Sequence, residues 1–190
     1  MVTIREEKFA DIAAREALLD EAYGAARFAK PSQRLREGRL PADGLSLVAV
    51  EKGRIVGTIR LWPVNAGARR EVLLLGPLAI HPMHRERGIG SALMRRAIAP
   101  ARLAGHRAIV LVGEPAYYGR FGFSAALTGR LWMPGRYDRD RLLALELRHG
   151  ALADAHGLIG PAGRIEPKPD LNALIAAESG EKPTFARRAA

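Results

Sequence analysis

The stretch HRERGIGSALMRRA (84–97) carries residue types that can bind a phosphate group. Two glycines, Gly88 and Gly90, stand one residue apart where an apolar helical pattern begins. A helix amino terminus exposes unpaired N–H groups and about half a positive charge, so it attracts an anion wherever side chains leave the amides accessible. Glycine leaves that space open, and Arg85 and Arg87 add positive charge. The spacing predicts a turn that holds a pyrophosphate.

The residues of the turn leave other interpretations open. A dinucleotide-binding fingerprint needs a third glycine directly after a strand, but Leu93 occupies that position and a loop separates Ile80 from Gly88. A P-loop needs a Gly-Lys-Ser/Thr sequence, which is absent. A tight turn that only begins a helix explains two glycines equally well, because such short matches are weak.

Composition fits one globular protein. The 190 residues are 48% hydrophobic and 26% charged, values typical of a chain that buries a core. The absence of cysteine excludes disulfides, thiolate metal sites and thiol nucleophiles, and we expect no metal. No run approaches the roughly 20 apolar residues of a membrane span, and the charged amino end does not resemble a signal peptide. These features predict a cytoplasmic protein without membrane contact.

The charge balance favours anionic partners. Thirty Lys and Arg residues against 20 Asp and Glu give a net charge of +10. Arginine-rich codon usage accounts for this excess, and there is no basic helix and no interleaving of aromatic and basic residues. We therefore expect no nucleic-acid partner, and a basic nucleic-acid-binding domain is kept as an alternative.

Hydrophobic patterning predicts the order strand, helix, hairpin, strand, helix, strand. A strand over 2–5 precedes a helix that Asp11 caps and Gly24 ends. Apolar residues alternate on both sides of Lys52 and Gly53, which predicts a hairpin. The basic segment 27–44 contains prolines and glycines and is predicted to be a loop with at most one short helix. This order predicts an α+β fold whose mixed, splayed central sheet is flanked by helices.

Two prolines interrupt the second half of the hydrophobic pattern. Pro77 interrupts the apolar run VLLLGPLAI (72–80), which predicts a bulge or break and a splayed sheet. Pro100 is expected to kink or end a helix whose stripe contains Ile89, Leu93 and Ala97. Later elements are a strand over 108–112, a helical turn over 115–118, strands in FGFSAA (121–126) and LLALEL (142–147), and a short helix over 170–177.

Two joined segments resemble a known family. LLLGPLAIHPMHRERGIGSALM (73–94), followed by IVLVGEPAYYGRFGF (109–123), resembles the GNAT superfamily of acyl-CoA-dependent N-acetyltransferases, over roughly residues 45–123. A PLAIHP-type strand precedes an [RQ]-x-x-G-x-[GA] turn in that family, here 85–90, and a later Y-x-x-x-G-F is here 118–123. The resemblance implies a GNAT fold, acetyl-CoA as co-substrate, and acetyl transfer to a primary amine by direct attack in a ternary complex.

The resemblance also implies which residues bind the cofactor. Amides of the turn would hold the CoA pyrophosphate, the strand before it would pair with the pantetheine arm, and a backbone N–H near Ile80 would stabilise the oxyanion. The implied residues are Leu78, Ala79, Ile80, Arg85, Glu86, Arg87, Gly88, Ile89, Gly90 and Ser91.

Tyr118 is the candidate acid for the departing thiolate. Its phenol, with a pKa of about 10, holds its proton at neutral pH. The alternative is a half-buried structural aromatic, and Tyr117 stands beside it. An alkyl amine has a pKa of about 10.4 and must lose a proton before it attacks. Glu71 is the candidate side chain for the catalytic base, and a water relay is an equal alternative. His81, His84 and Glu114 also fall near the site.

The GNAT domain is predicted to cover 1–150, followed by a C-terminal extension over 151–190 that is partly helical or flexible. The acceptor is expected to be a small-molecule or peptide amine, selected by segment 27–44, the region of Trp62 and segment 132–140. Assembly of two copies into a homodimer is kept as an alternative to a monomer. The rival function is a non-catalytic module that binds an acyl-CoA and signals its presence to a partner.

Overall fold

The computed structural model describes residues 1–68 and 70–167, which contain eight strands and four α-helices. The strands are β1 (Val2–Glu6), β2 (Ser46–Glu51), β3 (Arg54–Ala66), β4 (Glu71–Ile80), β5 (Ala108–Val112), β6 (Leu131–Trp132), β7 (Leu142–Glu146) and β8 (Gly157–Pro161). The helices are α1 (Ile12–Tyr23), α2 (Pro31–Arg36), α3 (Ile89–Leu103) and α4 (Pro115–Tyr118). In these residues no helix combines the length and the apolar content that crossing a membrane requires.

The strands form one mixed sheet in the order β1-β2-β3-β4-β5-β7. Neighbours from β1 to β4 are antiparallel, β4 and β5 run parallel, and β5 and β7 are antiparallel. Strand β8 pairs with the end of β3 and with the short β6. The predicted α+β fold with a mixed central sheet is confirmed, and so is the hairpin around Lys52 and Gly53.

The sheet opens between β4 and β5, as the interrupted apolar run predicts. β4 pairs with β5 only at Leu73 and Leu74, although β4 continues to Ile80. On the opposite edge of β4, Gly76 and Pro77 together face the single residue Arg60 of β3, which makes a β-bulge. A bulge bends its strand. Beyond it, the β4 edge that faces β5 has no strand partner among the described residues.

Side chains of β4 alternate between two apolar cores on opposite faces of the sheet. Leu73 and Leu75 belong to the core that α3 covers, whereas Val72 and Leu74 belong to the core on the other face. This alternation follows from the two-residue period of a strand. The predicted stripe of α3 is confirmed, because its residues in the first core are buried: Ile89, Leu93, Met94, Ala97 and Ala101.

A buried ion cluster holds α1 on the sheet. The Glu7 carboxylate accepts hydrogen bonds from the guanidinium groups of Arg15 in α1 (3.0 Å) and Arg60 in β3 (2.8 Å). The Glu7 side chain is only 3% exposed, so solvent screens these pairs weakly. The cluster therefore fixes α1, and with it Tyr23 at the end of the helix, against the sheet.

Two local predictions about helix ends need correction. Asp11 does precede α1, but its carboxylate accepts from the Lys8 N–H (2.7 Å) and the Arg5 guanidinium instead of capping the helix. Of the two expectations for Pro100, the end of the helix is wrong, because α3 continues to Leu103. The kink stays a prediction. Because Pro100 lies in the last turn, its missing N–H removes one hydrogen bond near the helix end and leaves the preceding turns intact.

The carboxyl-terminal half also differs from the prediction. FGFSAA (121–126) is not a strand: Gly122 turns the chain with a φ of 88°, and only an isolated bridge joins Ser124 to Ala144. Strands β6 and β8 were not predicted, because β6 has two residues and β8 contains glycine and proline. The part of the predicted extension before residue 168 thus adds a strand to the sheet. The helix predicted over 170–177 lies outside the described residues.

Candidate active site

A cleft of about 750 Å³ lies between the separated ends of β4 and β5. Its walls are the end of β4, the end of β5, the turn before α3, helix α4 and the last residues of α1. The predicted site residues that line it are Leu78, Ala79, Ile80, Arg85, Glu86, Gly88, Ile89, Gly90, Ser91 and Tyr118. The structure therefore brings together the predicted turn, the predicted strand segment and the predicted acid.

The turn before α3 presents unpaired amides to the cleft. Glu86 and Gly88 both have left-handed backbone conformations, with φ values of 63° and 75°, and Gly88 is the residue that caps α3. The Ala92 N–H donates to the Gly88 carbonyl (3.0 Å) as the first hydrogen bond of the helix. The N–H groups of 88–91 have no backbone acceptor among the described residues. They are therefore available to an anion, with the positive end of a 15-residue helix behind them.

Gly90 keeps this amide cradle open. A Cβ atom added at Gly90 would lie 2.7 Å from the Tyr117 hydroxyl and 3.7 Å from Cγ1 of Ile80. Both residues line the cleft, so any larger side chain at this position would project into the space in front of the amides. The space in front of the amides therefore depends on the absence of a side chain at position 90.

Arg87 does not reach the cleft. Its guanidinium binds the Glu51 carboxylate with distances of 2.7 and 3.0 Å, and Nε2 of His84 lies 3.0 Å from the same carboxylate. Arg87 and His84 lower the pKa of Glu51 to about 2. The charge that Arg87 is expected to add beside the amides is therefore paired with Glu51, and its side chain ties the turn to the β2–β3 hairpin. Of the two arginines predicted to add charge, Arg85 lines the cleft. The binding of the cofactor by the backbone of residue 87 stays a prediction.

The exposed edge of β4 offers alternate backbone groups to the cleft. The His81 N–H donates to Val56 of β3 (2.9 Å), and because backbone groups alternate along a strand, Ala79 also points toward β3. Leu78 and Ile80 point into the gap. The Tyr23 hydroxyl, at the end of α1, donates to the Leu78 carbonyl. The Leu78 N–H and both backbone groups of Ile80 are left for a ligand.

Tyr118 lies where this cleft meets a second cavity of about 80 Å³. Tyr117 lines the large cleft and not the small cavity. A Cβ atom at Gly113 would lie 2.2 Å from the Tyr118 ring, so the absence of a side chain there lets the ring occupy its position. Burial, with smaller contributions from Tyr23 and Tyr117, raises the pKa of Tyr118. The phenol therefore keeps its proton at neutral pH.

The profile of the Acetyltransferase (GNAT) family matches residues 12–123. The chain belongs to this family. YhbS of Escherichia coli K12, an uncharacterized N-acetyltransferase, is 32% identical over 128 residues, which are 65% of this chain and 74% of the relative.

Two solved GNAT structures share the fold. The crystal structure of E. coli YhbS in complex with CoA has a TM-score of 0.72 and 28% identity, and the match covers 85% of this chain and 89% of that one. A GNAT acetyltransferase from Brucella melitensis in complex with acetyl-CoA has a TM-score of 0.60 and 30% identity, with 87% and 94% covered. The GNAT fold inferred from the two joined sequence segments is confirmed.

The fold places some of the candidate bases in the cleft and others away from it. Glu71 begins β4, and at about 3.3 Å per residue it lies roughly 23 Å along the strand from Leu78. The structure therefore does not bring Glu71 to Tyr118. His81 lies outside the cleft lining, with Nε2 3.4 Å from a Glu21 oxygen. His84 and the exposed Glu114 do line the cleft.

Several residues of the cleft were not found from the sequence. Tyr23 ends a helix 55 residues before Leu78, and nothing in the local pattern connects the two. Lys30 and Arg141 come from loops or loop edges whose course depends on the whole fold. Gly113 did carry a signal, because a glycine directly after a buried strand often marks a close approach of another group.

Substituting Gly113 by Ala is expected to displace the Tyr118 ring without removing its hydroxyl. A misplacement of about 1 Å can lower a rate about 100-fold, so we expect kcat to fall by up to about that factor. The matched control is Gly119→Ala, because a Cβ atom there meets nothing within 4 Å. Steady-state rates of acetyl transfer by both variants check this, and an unchanged kcat for Gly113→Ala would show that the ring position is unimportant.

Proposed function

We propose that this GNAT protein is an acetyl-CoA-dependent N-acetyltransferase that acetylates a primary amine by direct attack in a ternary complex. The observation that carries the proposal is that the unpaired amides at the start of α3 face the same cleft as the protonated phenol of Tyr118. The relatives crystallised with CoA and acetyl-CoA support the same ligand. A small-molecule or peptide acceptor and a cytoplasmic location belong to this proposal.

Acetyl-CoA supplies an acetyl group activated as a thioester. The N–H groups of 88–91 would bind its diphosphate, with Arg85 adding charge beside them. The outward backbone groups of Ile80 would pair with the pantetheine amides. The Leu78 N–H would donate to the thioester oxygen, a role that needs a fixed donor. Tyr23 supports that donor, because its hydroxyl holds the carbonyl of the same residue.

Tyr118 provides the proton that amide formation requires. A neutral amine forms the new C–N bond while the C–S bond breaks, and the thiolate that leaves must be protonated. Tyr118 holds such a proton at the junction of the two cavities. We assign the removal of the amine proton to water rather than to Glu71, because Glu71 lies at the far end of β4.

The absence of cysteine supports direct attack. With no cysteine, it cannot form an acyl-thioester on the protein. Initial rates measured while acetyl-CoA and amine are both varied should therefore give intersecting double-reciprocal lines. Parallel lines would indicate a covalent acyl-enzyme and contradict the ternary complex.

The decisive assay is thiol release from acetyl-CoA in the presence of a panel of primary amines. We expect amine-dependent release, with the acetylated amine identified by mass spectrometry. Stabilisation by acetyl-CoA without turnover would favour the non-catalytic module. Salt-sensitive binding of DNA or RNA without a response to acetyl-CoA would favour the nucleic-acid alternative.

A further inference from the structure

The small cavity adjoins the reaction centre. It shares Tyr23, Lys30, Leu78, Val112 and Tyr118 with the large cleft, and it is closed on another side by the bulge of β4. Its volume of about 80 Å³ equals about three water molecules at roughly 30 Å³ each. It therefore suits a small polar group attached to an acceptor whose amine lies beside Tyr118.

The lining of the small cavity is cationic. It includes the side chains of Arg27, Lys30 and Arg36, and no Asp or Glu among the described residues. Arg27 is neutralised by Glu16 (2.6 Å) and Asp20 (2.8 Å). In the described part of the chain, neither Lys30 nor Arg36 has a carboxylate oxygen within ion-pair distance, so neither cation forms an ion pair.

Arg36 is the cation best placed to bind an anionic group. Its half-buried guanidinium donates from Nε to the Gln33 side chain (2.9 Å). One terminal nitrogen reaches the bulge at Gly76, where it lies 3.4 Å from the position that an added Cβ atom would take. The two terminal nitrogens have no acceptor in the described residues. Burial, together with the charge of Arg27, lowers the pKa of Arg36 to about 10. A carboxylate would accept two hydrogen bonds from these terminal nitrogens.

Lys30 adds a second positive charge at the same place. Its ammonium lies 4.2 Å from the centre of the Tyr23 ring, at the boundary of the two cavities. Burial, with smaller contributions from the charges of Arg36 and Arg141, lowers the pKa of Lys30. Like charges this close repel one another. An anion between Lys30 and Arg36 would relieve that repulsion.

We propose that the accepted amine also carries a carboxylate, which binds Arg36 and Lys30 in the small cavity while the amine faces Tyr118. This inference rests on the proposed acetyl transfer and names its substrate class: amino acids, or peptides with a carboxylate close to the amine. Polyamines and simple alkylamines are poor acceptors, because their positive or apolar ends would face the two cations.

The test compares each amino acid with its own amide as acceptor. Such pairs have the same amine and side chain but differ in the negative charge, and both α-amino and longer ω-amino acids belong in the panel. We expect kcat/KM to be about 10- to 100-fold higher for the acid than for its amide. This is the range that a hydrogen bond to a charged group contributes. Equal values for acid and amide throughout the panel would overturn the carboxylate proposal and leave acetyl transfer intact.

Arg36→Gln should abolish most of this preference. We expect the KM for the carboxylate acceptor to rise while the KM for acetyl-CoA stays unchanged, and Arg36→Lys to restore part of the preference. Arg34→Gln is the matched control, because Arg34 lies exposed on the same helix and lines neither cavity. If Arg36→Gln kept the full preference, the assignment of the carboxylate to this cavity would be wrong.

A binding measurement separates failure of this inference from failure of the proposed function. If no acceptor is turned over, the acetyltransferase proposal fails, and calorimetry on CoA-saturated protein still tests the cavity. Binding of amino acids but not of their amides, lost in Arg36→Gln, supports the carboxylate site. Equal binding of both, or of neither, overturns it.

Discussion

Tyr118→Phe is expected to lower kcat by about 100- to 10,000-fold, the range that general acid catalysis contributes. The substitution removes only the phenol oxygen, and the ring can still pack against Gly113. The departing thiolate then lacks its proposed proton donor, while the amides proposed to hold acetyl-CoA are unchanged. The KM for acetyl-CoA should therefore stay within about twofold, since only a transition-state interaction is lost. Rates of thiol release at varied acetyl-CoA concentration and saturating amine measure both constants.

The control for this experiment is Tyr117→Phe, which removes the neighbouring hydroxyl. Tyr117 lines the large cleft beside Gly90 and does not reach the small cavity, so kcat should change little. A large loss in Tyr117→Phe together with an active Tyr118→Phe would reverse the assignment. Full activity in both would make Tyr118 a structural aromatic.

The raised pKa of Tyr118 also predicts the pH dependence of kcat. A group whose pKa is raised keeps its proton up to a higher pH than usual, so Tyr118 remains a competent acid beyond its normal value of about 10. We therefore expect the rate to fall toward acid pH, where the amine is protonated, and no alkaline decline below about pH 10. A decline with a midpoint between pH 7 and about 9 would mean that another group donates the proton.

Several features of the fold that depend on local sequence were predicted correctly. The hairpin, the bulge at Pro77, the stripe of α3 and the single turn of α4 each depend on residues within a few positions of one another. The glycine turn belongs to the same class, because Gly88 and Gly90 create the accessible amides themselves. For these features a short-range pattern was sufficient, because the backbone conformation of a few neighbouring residues defines them.

The direction of side chains was predicted less well, because it depends on contacts far apart in the chain. Arg87 has the right type and spacing for the cofactor, yet it binds Glu51 of β2, 36 residues away. Glu71 is close in sequence to the site and distant in space, because β4 is extended between them. Arg36 reaches the bulge of β4 only because α2 packs its buried Leu35 into the core on that face of the sheet.

The bulge of β4 accounts for both cavities. It turns the strand away from β5, which opens the large cleft, and Gly76 leaves room for the Arg36 guanidinium in the small one. Tyr23 spans both, because its hydroxyl holds Leu78 and its ring lies beneath Lys30. The same local irregularity thus accounts for the proposed thioester position and for the adjoining cationic cavity.

Gly90→Val is expected to weaken acetyl-CoA binding by at least about 100-fold, a loss of about 2.7 kcal/mol. Its Cβ atom would meet the Tyr117 hydroxyl at 2.7 Å, and the added methyl groups would fill the space in front of the amides. Gly90 does not have a left-handed φ, so the backbone accepts valine and the unliganded protein should remain folded. Calorimetry with acetyl-CoA measures the change in Kd directly.

Thermal unfolding provides an independent measurement of the same effect. Ligand at 100 times its Kd stabilises a protein by about 2.7 kcal/mol, and this increment should be present in wild type and nearly absent in Gly90→Val. The matched control is Gly160→Val in β8, where a Cβ atom meets nothing within 4 Å and valine suits a strand. It should bind acetyl-CoA like wild type. If Gly90→Val also did so, the diphosphate would not lie against the amides of α3, and the acetyltransferase proposal would lose its main support.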